Sequence, residues 1–219
     1  MKRFACVASV CLVGLFVAGE SPAFAQGAPT ADSAMYAEFN LGPTLGHKSD
    51  AFVGGEFGYR LTPDVDVLAE FSHMANVGTS ELDNRAAPIA AFLGGTAATG
   101  FRVNALAFGA RYKIPLTSTR AVPYVLGAVG FAHVTTEVEF TVNGAAFDPG
   151  GSVQFGADLA GSTNRALLVI GGGVNVPFKQ RFFGDLGYRY GHIFSKTIEG
   201  ETLESIPTQR IILGVGVRF

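Results

Sequence analysis

Ten charged side chains fall at alternate positions of segments whose intervening residues are mostly apolar. They are Glu38, Glu56, Arg60, Asp66, Glu70, Arg111, Asp185, Arg189, Arg210 and Arg218. Because successive side chains of a β-strand point to opposite faces, these ten are expected on a common face. Carboxylates and guanidinium groups in nearly equal number can neutralise one another in a buried ion-pair network. The alternative that the pattern leaves open is a narrow or gated passage for ions.

Nucleophilic catalysis and metal binding are the other chemistries that polar residues here could support. Ser72 neighbours His73, but consecutive strand residues point apart, so the histidine cannot activate the serine. His47, His133 and His192 lie in separate segments without metal-ligand spacing. We therefore predict no enzymatic activity, no metal site and no cofactor.

The first 25 residues have the three parts of a secretory signal peptide. Lys2 and Arg3 give a basic start, 4–18 is an apolar run, and Ala-Phe-Ala at 23–25 supplies a small-x-small cleavage site. We therefore predict Sec-type export and cleavage before Gln26. Both cysteines lie in this segment, so the mature chain is expected to contain no disulfide.

Composition separates the remaining chain from nucleic-acid-binding proteins. Without the predicted signal peptide, 14 Lys and Arg residues stand against 17 Asp and Glu residues, and no basic arm remains. No window holds the roughly 20 consecutive apolar residues of a membrane-spanning helix. Frequent glycine and phenylalanine, few charges and a positive mean hydropathy favour strands of alternating character instead.

Period-two alternation predicts eight strands along the mature chain. Their approximate ranges are 35–42, 52–61, 65–72, 106–114, 123–134, 168–176, 182–191 and 209–219. The last strand alternates strictly, with Leu213 and Val215 on an apolar side and Arg210 and Gly214 on the other. In the fifth strand, small residues occupy both alternating sets of positions, so the sequence does not show which set faces outward.

The connections between these strands alternate in length. Those after the second, fourth and sixth strands are short turns, at 62–64, 115–120 and 177–180. Those after the third, fifth and seventh strands are long, at 78–100, 136–164 and 195–207, and 46–50 is a brief first break. Successive connections of an antiparallel barrel lie at opposite rims. The pattern therefore places the short turns at one end of the barrel, which we call the trim rim, and the long connections at the other end, which we call the elaborated rim.

These patterns together predict an all-β fold, an eight-stranded antiparallel up-and-down transmembrane β-barrel over 33–219. A lead-in at 26–32 precedes the barrel. Within 136–164, Asn143-Gly144 is a two-residue hairpin signal, so the fifth strand is expected to project beyond the membrane before it turns. A soluble β-sandwich is the competing fold.

The segments FGYRLTPDVDV and GDLGYRYGHIF and the ending GVGVRF resemble the small eight-stranded outer-membrane barrels of the OmpA and OmpX type. The resemblance covers essentially the whole mature chain. It implies a Gram-negative-type outer membrane, with lipid and lipopolysaccharide as partners, and a barrel-assembly machinery that reads the terminal aromatic residue, here Phe219. The chain lacks tryptophan, so any aromatic girdle must consist of Phe and Tyr.

Residues 72–76 (SHMAN) are similar to the His-x-Ser-Asn motif of the lipid A deacylase barrels. Ala75 occupies the position of the required serine, and a methyl group cannot attack an ester. A lipid-modifying hydrolase is therefore the least favoured function.

The long connections at 78–100 and 136–164 are the candidate binding regions, because binding usually resides on loops of a rigid scaffold. They combine acidic residues with phenylalanines such as Phe92 and could bind an extracellular surface or protein. We predict a structural or surface-interaction role with a lumen plugged by the ten charged residues; the alternative is a small porin-like channel. Because the last strand closes against the first, Arg210 and Arg218 are predicted to pair with Glu38.

Overall fold

In the computed structural model, the chain forms a closed antiparallel β-barrel. The structure describes residues 34–116, 121–147, 161–198 and 201–219. The predicted signal peptide and lead-in lie outside these residues, as does 148–160 of the long connection at 136–164. The predicted eight-stranded up-and-down barrel is confirmed.

Among the described residues, the barrel consists of eight long strands, to which one helix and three short strands are added. The elements in chain order are β1 (Met35–Leu45), β2 (Ala51–Arg60), β3 (Val65–Met74), α1 (Ser80–Phe92), β4 (Gly95–Lys113), β5 (Val122–Val142), β6 (Ala145–Phe147), β7 (Gly161–Pro177), β8 (Phe182–Ile193), β9 (Lys196–Ile198), β10 (Glu201–Leu203) and β11 (Ile206–Arg218). The barrel strands follow the order β4-β3-β2-β1-β11-β8-β7-β5, and β4 pairs with β5 to close it. At the seam between β1 and β11, Met35 and Phe219 exchange backbone hydrogen bonds of 3.2 and 2.9 Å.

Alternation along each strand separates an apolar outer surface from the lumen. Phe39 and Phe71, for example, are about half exposed on the outer surface, while their chain neighbours are buried. In the other seven barrel strands, the apolar residues of the alternating pattern face outward, as a membrane barrel requires. In β5, whose face was left open, Val129 points outward, whereas Tyr124 and Leu126 point into the lumen.

The connection predicted at 78–100 differs from the structure, because it contains α1 and the beginning of β4. The side chain of Thr79 caps the helix by accepting a hydrogen bond from the Leu82 backbone amide. Leu82, Ala86 and Ala90 recur every four residues and form its buried face. Pro88 and the two glycines that follow favour a loop in the sequence, but helical packing on the barrel outweighs them. Among the described residues, no helix is both long and apolar enough to cross a bilayer.

The elaborated rim extends well past the apolar surface on β4 and β5, which have 19 and 21 residues. β5 turns at Asn143-Gly144, where both residues have positive φ values, of 52° and 78°. This is the backbone that a two-residue hairpin requires. The predicted hairpin and the projection of β5 are confirmed.

Candidate functional site

Arg111 lies in the middle of the lumen with three carboxylates around it. Its Nη2 atom is 2.7 Å from Glu56, 3.6 Å from Asp185 and 3.7 Å from Glu38, and all four residues are buried. They come from β1, β2, β4 and β8. The lumen of an eight-stranded barrel is only wide enough for side chains to fill it, so inward residues of distant strands meet there.

A second group of ion pairs adjoins the first around Glu70. Arg210 Nη2 lies 2.8 Å from one oxygen of Glu70, and Arg189 Nε lies 3.6 Å from the other. Arg189 Nη2 is also 3.8 Å from Glu56, which joins the two groups. We call the seven residues the lumen network: Glu38, Glu56, Glu70, Arg111, Asp185, Arg189 and Arg210.

The other three predicted residues, Arg60, Asp66 and Arg218, lie nearer the trim rim. Asp66 pairs with Lys113 at 2.8 Å, a cation that is not among the ten predicted residues. Arg218 Nη2 donates to Asn175 Oδ1 at 2.6 Å, and its guanidinium lies 4.6 Å from the centre of the Phe183 ring.

The predicted pairing of Glu38 with Arg210 and Arg218 is wrong, because Arg210 pairs with Glu70 and Arg218 donates to Asn175 instead. In the β1–β11 register, Glu38 stands opposite Gly216, whereas Arg210 stands opposite Thr44, six residues along β1. At roughly 3.3 Å per residue, that separation of about 20 Å exceeds the reach of the two side chains. Neighbouring strands therefore do not determine the ion pairs of these residues. Arg210 instead pairs with a carboxylate on the opposite side of the lumen.

Two tyrosines that the sequence did not single out complete the network. Tyr36 donates to Glu56 at 2.5 Å, and Tyr124 donates to Asp185 at 2.7 Å. The Tyr124 ring also stacks 4.1 Å from the guanidinium carbon of Arg111. Tyr36 lies on the same side of β1 as Glu38, so the alternation of β1 in the sequence already indicated that it faces the lumen. Tyr124 lies in β5, whose inward face could not be identified from the sequence.

The half of the lumen toward the elaborated rim is filled by an apolar cluster. Its most buried members include Phe52, Met74, Val103, Ile193 and Ile206. Helix α1 adds Leu82 to the same cluster and thus packs over the mouth of the barrel. The lumen therefore has a charged layer in the middle and an apolar layer above it.

Asp83 holds α1 against the barrel. It accepts hydrogen bonds from Lys48 Nζ and from the hydroxyl of Thr99, and His47 Nε2 lies 2.8 Å from it. Burial alone would raise the pKa of Asp83, but these hydrogen bonds lower it to about 2. The ionised carboxylate thus joins the helix to the β1–β2 connection and to β4.

The attachment of α1 is expected to weaken in acid. Because the pKa of Asp83 is lower in the folded chain than the usual value of about 3.9, the stability that its ionised carboxylate contributes is present above pH 4 and is lost as the pH falls toward 2.

Asp83→Asn should weaken docking of α1 at neutral pH by about 1 kcal/mol, since the side chain is partly exposed. Amide hydrogen exchange within 80–92 measures this. Asp64→Asn, at the opposite rim, is the control; equal exchange in both variants would contradict the role of Asp83.

A polar row crosses the outer surface of four adjacent strands toward the elaborated rim. His73, Asn104, His133 and Asn164 stand opposite one another in register, and each histidine Nδ1 lies 2.8 Å from an asparagine Oδ1. We call it the His/Asn row. The next outward row toward the trim rim is apolar, so the His/Asn row marks the upper edge of the apolar belt.

The arrangement around Ser72 does not support catalysis. Ser72 is buried in the lumen, whereas His73 belongs to the His/Asn row on the outside of the barrel. Among the residues that the structure describes, no group of three or more His, Cys, Asp or Glu side chains is placed to hold a metal ion.

Comparisons with known proteins agree with this geometry. A family model described as "Outer membrane protein beta-barrel domain" matches residues 8–219. The barrel is similar to the crystal structure of neisserial surface protein A, with a TM-score of 0.56 and 17% identity over 85% of this chain and 98% of the other.

Two other solved structures are similar at lower TM-scores. The N-terminal barrel domain of Pseudomonas aeruginosa OprF has a TM-score of 0.48 and 17% identity over 84% of this chain and 97% of the other. The attachment invasion locus protein of Yersinia pestis has a TM-score of 0.43 and 16% identity over 84% and 96%. A comparison with curated protein sequences finds no match.

Proposed function

Since the chain belongs to the outer membrane protein beta-barrel domain family, we propose that it is a non-enzymatic barrel with a closed lumen that acts through its extracellular end. The protein is located in the Gram-negative outer membrane. Short turns of such barrels face the periplasm, so the trim rim is periplasmic and α1 lies outside the cell.

The observation that carries this proposal is the apolar layer of the lumen. A water-filled passage needs polar walls, yet side chains such as Phe52, Met74 and Ile206 fill the extracellular half at 2% exposure or less. The lumen network adds a second layer, in which buried arginines and carboxylates pair below the apolar layer. Both layers support a structural plug rather than a route for solutes.

Planar-bilayer recordings test the closed lumen. We expect purified wild-type protein to give no steady conductance, and Arg102→Ala to give none either. Arg102 pairs with Glu137 at 2.7 Å on the exposed surface, so it is a control for loss of one arginine. A steady wild-type conductance that Arg111→Ala alters would contradict the proposal and favour a small porin-like channel.

The extracellular end offers two features for surface contact. Phe92, at the end of α1, is 91% exposed, which is unusual for a large apolar side chain unless another surface covers it. The His/Asn row supplies polar groups at the level where the phosphorylated sugars of lipopolysaccharide begin. Lys196 adds a cation there, with its Nζ atom 3.1 Å from the Asn164 carbonyl oxygen.

Adhesion of outer-membrane vesicles tests the role of this end. Phe92→Ser, or replacement of 138–160 by a short turn, should reduce binding to cells or surfaces. Phe178→Ser, an exposed phenylalanine at the periplasmic rim, should leave binding unchanged. Unchanged binding in the first two variants would contradict a surface-interaction role. The reading of Phe219 by the assembly machinery stays a prediction.

A further inference from the structure

A cavity of about 390 Å³ opens into the lumen at the periplasmic rim. Its walls are about equally polar and apolar, and the apolar part includes Val122 and the buried ring of Phe183. Its inner end is formed by polar residues of the lumen, among them Arg111. The volume lies within the range of small-molecule sites, and the lining combines apolar walls with several charged groups.

Positive charge predominates around this cavity. Its lining contains the four cations Arg60, Arg111, Lys113 and Arg218 and the two carboxylates Asp64 and Asp66. Lys113 is neutralised by Asp66 at 2.8 Å, and Arg111 is neutralised by the lumen network. Arg218 differs from these two cations, because no described carboxylate forms an ion pair with it.

The side-chain groups in direct contact with the Arg218 guanidinium are neutral among the residues that the structure describes. Its Nη2 atom donates to the side-chain oxygen of Asn175, and the ring of Phe183 lies against its guanidinium, but no described carboxylate is within 4.0 Å. A half-buried cation beside other cations is unfavourable unless an anion compensates it. A guanidinium is also the side chain best suited to bind the oxygens of a carboxylate or phosphate in pairs.

We propose that this cavity binds a small oxyanion that carries a short apolar group and enters from the periplasm. The oxygens of the ligand accept hydrogen bonds from the guanidinium of Arg218. The apolar group lies against Val122 and Phe183. Because the lumen network and the apolar layer close the far end, the ligand is held at the periplasmic side and is not transported.

Binding of butyl phosphate to the full-length barrel in zwitterionic micelles tests the proposal, with calorimetry as the readout. We expect saturable binding to the wild type, a loss of about tenfold or more in Arg218→Gln, and weaker binding of inorganic phosphate. Arg181→Gln is the matched control, since Arg181 is an exposed arginine at the same rim. Circular dichroism and heat-dependent gel mobility establish that each variant is folded.

Two results would overturn the site: no butyl phosphate binding to the folded wild type, or equal binding by Arg218→Gln. Equal affinity for inorganic phosphate would overturn the apolar half of the assignment. Repeating the titration in nanodiscs that contain phosphatidylglycerol identifies the source of the oxyanion. Competition by this lipid would assign the site to a phospholipid headgroup, and undiminished binding would assign it to a soluble periplasmic ligand.

Discussion

Arg111→Met is expected to lower the free energy of unfolding by about 3–5 kcal/mol, as removal of one member of a buried ion-pair network does. The substitution keeps a long side chain but leaves Glu38, Glu56 and Asp185 without their shared cation. Two of these, Glu56 and Asp185, keep a tyrosine hydroxyl as donor, whereas neither oxygen of Glu38 accepts a hydrogen bond from a described residue. Reversible urea unfolding in lipid vesicles, followed by circular dichroism, gives the free energy.

Two further variants separate the network from a general effect of arginine loss. Arg102→Met removes an exposed pair and should cost less than about 1 kcal/mol. The double variant Arg111→Met/Glu56→Gln should recover part of the loss, because one uncompensated carboxylate is then neutral. If Arg111→Met and Arg102→Met cost the same, the lumen network does not contribute to stability in the way that its burial implies.

Gly58→Ala is expected to destabilise the barrel by about 1–3 kcal/mol through overpacking. Gly58 stands directly opposite Tyr36, and a Cβ atom added there would overlap the tyrosine ring. The ring cannot move easily, since it packs edge-on against Phe183 with centroids 5.8 Å apart and its hydroxyl is bound to Glu56. Displacing it would also remove that buried hydrogen bond.

Gly127→Ala provides the matched control for this substitution. Gly127 lies on the outward face of β5, and a Cβ atom added there would meet no atom within 4 Å. The change should therefore be neutral or slightly stabilising in the same unfolding experiment. Equal destabilisation by Gly58→Ala and Gly127→Ala would assign the effect to strand glycines in general rather than to the contact with Tyr36.

The strands and their faces were predictable because membrane barrels repeat one simple rule. Lipid on one side and a narrow lumen on the other force strict alternation, and Phe71 beside Glu70 or Leu213 beside Arg210 shows it directly in the sequence. All ten charged candidates are inward residues for this reason. β5 was less clear because glycine and alanine fit either face.

Ionic partners and the apolar layer were not predictable in the same way. Alternation says that Arg210 and Glu70 both face inward, but their contact depends on the stagger between distant strands, which no local pattern contains. Helix α1 was not predicted, because Pro88 and the weak helical periodicity of its sequence favour a loop. The helix is stabilised by a tertiary contact, in which Leu82 packs against the apolar layer, and this contact outweighs the local preferences.

The seam between β1 and β11 has a kinetic consequence. Every other neighbouring pair of barrel strands is consecutive along the chain and can form by zipping up a hairpin, but the seam joins Met35 to Phe219. Bringing such distant segments together has the largest entropic cost of any pairing here, so closure is expected to come last and to limit the folding rate. Until then both edge strands expose unpaired backbone groups, and this interval is when the chain is most vulnerable to aggregation.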